Sequence, residues 1–203
     1  MDKTKLSSDV VKLVSTITNN TVIPYGWYTS KYKENRYHRD ATHEGIDITL
    51  FVDATNKYGQ HYGGIEYRNP ETNERVSYCP WDSSKHHLDT DFDCYGLYRD
   101  QFSPLADAFL AIDTIATANG VVYKSPSYPT NGLITQDSLA NLDRFAKYGI
   151  TEDMIRGMLN ETLVIDHDLA VKLNKWDMVN VNYILDRQRN YLALPDMVLD
   201  PTS

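Results

Sequence analysis

The stretch Ile46-Asp47-Ile48-Thr49-Leu50-Phe51-Val52-Asp53 constrains the fold more than any other part of the chain. Ile46, Ile48, Leu50 and Val52 alternate with Asp47, Thr49, Phe51 and Asp53, and a period of two puts one set on each face of a strand. Such a strand needs neighbours to pair with. The turn around Asn56-Lys57-Tyr58-Gly59 leads to a second expected strand at 61–68. The turn 69–73 leads to a third at 75–79, which Pro80 stops. A three-stranded antiparallel meander over 46–80 follows. Gly63-Gly64 inside its second strand implies a bulge or a close backbone approach.

Helical signals flank this meander. Residues 8–19 have an apolar stripe at Val10, Leu13, Val14 and Ile17 behind Ser7 or Ser8 as cap, and predict an N-terminal helix. Ser103-Pro104 opens a second helix, with Leu105, Ala108, Phe109, Ile112, Ile115 and Ala116 on one face and Asn119-Gly120 at its end. Residues 121–124 form a short strand able to join the meander. The remaining expected helices run from Thr135 or Asp137 to Tyr148, over 152–160 behind Thr151, over 168–175, and over 177–192. The expectation is one α+β domain over 1–203: an N-terminal helix, a three- to four-stranded antiparallel meander and a C-terminal helical half. The β-rich part spans about 20–82 and the helical part about 100–195, with an extended tail at 194–203. Hydrophobic residues at 41% and charged residues at 24% suit a globular chain with a core of its own.

Residues 21–45 show no clean period. They hold Tyr25, Trp27, Tyr28, Tyr32 and Tyr37 interleaved with Lys31, Lys33, Arg36 and Arg39, the one locally basic stretch in a chain of net charge −8. Tyr, Trp and Arg dominate protein interfaces, so Tyr25, Trp27, Tyr28, Lys31, Tyr32, Arg36, Tyr37 and Arg39 are the interface candidates. Packing of the same rings over the meander is the competing account. Aromatic rings beside cations also suit single-stranded nucleic acid, but the acidity of the chain weighs against that partner.

A metal site is the second candidate. His86, His87, Asp89, Asp91 and Asp93 fall within eight residues and could hold a divalent cation. The three aspartates match positions 1, 3 and 5 of a calcium loop, but Cys94 stands where the loop needs glycine and Asp100 where it needs glutamate. A solvated acidic loop is the competing account, and no cofactor is expected unless a divalent metal binds there. His38 and His43, with Asp40 and Glu44, form a second candidate ligand set near His61. Cys79 and Cys94 read as free thiols.

Residues 139–160 resemble a helix-turn-helix, with Phe145 and Ala146 before a turn at Gly149-Ile150 and Met154 and Ile155 after it. The small residue of the first helix lies three positions before the turn glycine, where the motif has four. The second helix offers Glu152, Asp153 and Arg156. An ordinary αα-hairpin is the competing account.

No GxSxG, Walker A or GxGxxG pattern occurs. No apolar run nears the ~20 residues that span a bilayer, and the N-terminus lacks the apolar core of a signal peptide. The function expected is therefore binding to a protein partner or to further copies of the chain, without catalysis, in a soluble cytoplasmic setting. The abundance of Asp, Asn and Tyr is in the style of virus and phage proteins, which suggests an assembly component or an inhibitor of a host protein. The alternatives are a metal-dependent hydrolase built on the His/Asp loop and a DNA-binding regulator built on 139–160.

Overall fold

The computed structural model describes residues 23–54, 61–68, 72–73, 75–77, 101–102 and 104–193. The expected N-terminal helix, the His/Asp loop, both cysteines and the tail lie outside these residues. The chain divides into two compact units, Gly26–Lys124 and Ser125–Ser203 with Met1–Tyr25.

Among the described residues, the first unit is an antiparallel sheet with one helix on one face. Its strands are β1 (Tyr28–Thr29), β2 (Arg36–His43), β3 (Ile46–Asp53), β4 (His61–Arg68), β5 (Arg75–Ser77), β6 (Gln101–Phe102) and β7 (Val122–Tyr123), and its helix is α1 (Leu105–Ala118). The order is β1-β2-β3-β4-β5, with β6 also on β4 and β7 also on β2. The three strands of the meander appear where the alternation put them, and β7 joins the sheet as expected.

β2 is the addition that the sequence analysis did not foresee. It pairs along its whole length with β3, from Arg36↔Asp53 to His43↔Ile46. Its other edge carries β1 opposite Tyr37 and His38, and β7 opposite Ala41 and Thr42. The hairpin between β2 and β3 closes on Glu44-Gly45, with φ of 49° and 79°. Positive φ at both central residues is what a type I′ turn requires, and that turn matches the twist of the strands it joins.

Register assigns the faces. Tyr37, Arg39, Ala41 and His43 of β2 lie opposite Val52, Leu50, Ile48 and Ile46 of β3. Directly paired residues share a face, so this whole set looks one way. α1 covers that face. Phe109 meets the rings of Trp27 and Tyr37 edge-on, at centroid distances of 5.0 and 5.4 Å. Leu50, Val52, Ile65, Ala108 and Ile112 are fully buried there. Gly63 sits in an uninterrupted ladder opposite Val52, so β4 has no bulge at that point. A Cβ on Gly63 would stand 2.8 Å from the Ile112 side chain and 2.7 Å from the Phe51 carbonyl. Of the two alternatives for this glycine, close approach is the one observed. α1 thus packs on the sheet of its own unit.

The second unit holds a 3-10 helix (Gln136–Asn141), α2 (Leu142–Ala146), α3 (Glu152–Leu159), α4 (His167–Asp177) and α5 (Val181–Leu192). Thr151 caps α3 by accepting from the Met154 N–H, and Asp166 caps α4 by accepting from the Leu169 N–H. The helix expected over 177–192 starts four residues later. Asp177 closes α4, and Met178 turns left-handed at φ 57°. The core comprises Phe145, Ile150, Ile155, Met158, Ile165, Leu169, Leu173, Ile184 and Leu185. α5 is buried on nearly every side, polar residues included: Asp186, Gln188, Arg189 and Asn190 are all within the interior. Gln188 accepts from the Ile165 N–H at 3.0 Å. Burial pulls the Arg189 guanidinium below its ordinary pKa, and the Asp186 carboxylate partly restores it.

Among the described residues no helix is long and apolar enough to cross a membrane.

Candidate functional site

The aromatic-basic segment is drawn into the architecture by strand alternation. Trp27 is fully buried, and its indole N–H donates to Asp113 Oδ2 at 3.1 Å. Arg39, on the same face, donates to both oxygens of Asp113 at 3.0 and 3.1 Å. Tyr123 donates its hydroxyl to Asp113 Oδ1 at 2.6 Å, and the Arg39 guanidinium lies 3.4 Å from the centre of the Tyr123 ring. One α1 carboxylate therefore ties together the residue before β1, the middle of β2 and the last strand. Burial, then the hydrogen bond and the charge of Asp113, push the Tyr123 phenol well above its ordinary pKa. Gly26, at φ 89°, lies so close that a Cβ there would stand 2.8 Å from Arg39 Nε.

The other face of the sheet carries a charged cluster. Arg36 donates to both oxygens of Asp53, its partner in register, at 2.6 and 2.7 Å. This fork-on-fork geometry is the strongest form of the pair. Arg36 also stacks 4.3 Å from the centre of the Phe51 ring and reaches Glu66 at 3.6 Å. His38 Nε2 stands 3.7 Å from Glu66 Oε1, an ion pair only when the imidazole is protonated. Tyr28 donates to Asp40 at 2.7 Å and meets the His38 ring edge-on. Lys33 approaches Asp53 from the solvent side at 3.3 Å.

Of the eight interface candidates, Trp27, Tyr28, Arg36, Tyr37 and Arg39 thus serve these two layers. Tyr32 remains outward at 63% exposure, with the Lys31 ammonium 5.1 Å from its ring centre. Tyr25, at 45%, is also exposed. The odd and even positions of the segment in β2 pack the two faces of the sheet, while Tyr25 before β1 and Tyr32 before β2 stay exposed.

His38 and His43 do not come together, because their positions in β2 put them on opposite faces. His43 Nε2 lies 3.1 Å from the Asn119 carbonyl at the end of α1. His61 pairs with Phe102 beyond the Asp53↔Tyr62 step, at the far end of the sheet from His43. Among the described residues no group of three His, Cys, Asp or Glu side chains is placed to hold a metal ion. His86, His87, Asp89, Asp91 and Asp93 lie outside those residues.

In the segment that resembles a helix-turn-helix, α2 and α3 flank Gly149, at φ 74°. Phe145, Ile155 and Met158 point inward, and Phe145 packs 4.6 Å from Trp176. Arg156 is bound to Glu152 one turn earlier at 2.6 and 2.9 Å. That pairing neutralises the one cation on the would-be recognition helix.

A further surface lies on α1, outside the aromatic-basic segment. The solvent side of α1 consists of Ala106, Asp107, Leu110, Thr114, Thr117 and Ala118, all exposed. Leu110 is 67% exposed, and Thr114 turns its hydroxyl back to the Leu110 carbonyl at 2.7 Å. Asp107 is its only charge. A helix facing water ordinarily carries charged residues on that side. The signal was legible: LADAFLAIDTIATA has only two charged residues, and the second, Asp113, points inward.

These features define an α+β protein built on an antiparallel meander with a helix locked to one face. No family model, no curated protein and no solved structure matches the chain.

Proposed function

We propose that this protein acts by binding another protein, and that the solvent side of α1 is its contact surface. The observation that carries the proposal is the near absence of charge along the exposed side of a 14-residue helix in a chain of net charge −8. A single exposed leucine is ordinary. A helix side with one charge, at its first turn, suits the centre of an interface, where charged residues are depleted. Tyr32 and Lys31 add an exposed aromatic beside a cation on the same unit. Such a surface fits an assembly component or an inhibitor of another protein, including the viral or phage settings that the composition suggests.

Native mass spectrometry of the full chain and of Leu110→Glu tests the proposal. A homo-oligomer that Leu110→Glu dissociates supports it. An oligomer indifferent to that change places the contact elsewhere. If the chain is a monomer, a photo-crosslinking residue at position 110 replaces the comparison, with exposed Asn131 as the control position in the same extract. Adducts from 110 alone support the surface, and equal yields from both refute it.

A further inference from the structure

We draw no further inference here: the strongest candidate, the charged cluster of Arg36, Asp53, Glu66 and His38 on the second face of the sheet, belongs to the packing already described, and nothing in the structure points to a ligand for it.

Discussion

Asp113→Ala is expected to be among the most damaging single changes in the first unit. The carboxylate accepts from Trp27, Arg39 and Tyr123. Trp27 is fully buried, so losing the Asp113 acceptor of its indole N–H costs roughly 2 kcal/mol. The Tyr123 hydroxyl is half-buried and loses a short bond, about 1 kcal/mol. The Arg39 side chain is 15% exposed and that of Asp113 is 25% exposed, so water screens their pair and it adds only about 1 kcal/mol. Alanine returns roughly 0.5 kcal/mol through its better helix propensity. The balance is a loss of about 3.5 kcal/mol, a large share of the ~5–15 kcal/mol that holds a typical domain together. Urea unfolding of the two proteins, followed by far-UV circular dichroism, measures it directly. Asp113→Asn keeps one acceptor oxygen and is expected to lose about half as much, and Tyr123→Phe about 1 kcal/mol. A loss below about 1 kcal/mol for Asp113→Ala would show that water replaces the carboxylate and that the network is incidental to the packing of α1.

Three further outcomes are expected. Gly63→Ala drives a Cβ into the Phe51 carbonyl and Ile112, and loses about 1–3 kcal/mol by overpacking, read as a lower urea midpoint. Met178→Gly relieves a left-handed residue that is 81% exposed and adds up to about 1 kcal/mol of stability, read as a higher urea midpoint. Burial holds the His61 imidazole below its ordinary pKa, so the unfolded chain takes up the proton first. The stability that depends on His61 is therefore complete above about pH 6.5 and falls as pH drops below that value, levelling off once the folded-state pKa is passed. His61→Gln flattens that part of the pH–stability profile, and an unchanged slope between wild type and variant would remove His61 from the account.

The parts of the fold that were legible carry a local signal: a burial pattern that differs between faces, a turn composition or a cap. β3 has Ile48, Leu50 and Val52 against α1, and its period stands out. β4 and β5 follow from turns rich in Asn, Pro and Gly. α3 and α4 follow from Thr151 and Asp166, which cap them as their residue types suggest. β2 was opaque because neither face of it is plainly apolar. Its inward set, Tyr37, Arg39, Ala41 and His43, includes a guanidinium and an imidazole. Its outward set, Arg36, His38, Asp40 and Thr42, is polar throughout. A period-two test on hydrophobicity finds nothing there. The readable signal was the turn: Glu44-Gly45 stands directly before the strongest strand, where a two-residue hairpin loop implies a second strand on its other side.

The aromatic-basic segment has a structural use for the same side chains that suit an interface. Composition gave Trp27, Arg36 and Arg39 as contact residues, because Trp and Arg are the side chains that interfaces favour. They are also the side chains best able to join sheet layers when acids lie within reach. Asp53 sits opposite Arg36 in register, and Asp113 projects from α1 toward Arg39. Neither acid is adjacent in sequence, so the pairing is invisible until strand order and helix position are known. α1 presents the reverse case. Its inward side is legible from Phe109, Ile112 and Ala116, while Ala106, Leu110, Thr114 and Ala118 behind it carry no periodic signal of their own. An amphipathic helix is recognised by contrast between its sides, so a helix whose solvent side is also poor in charge deserves a second question about what covers it. That question, rather than the count of aromatic and basic residues, puts Leu110 ahead of Trp27 as the first position to mutate.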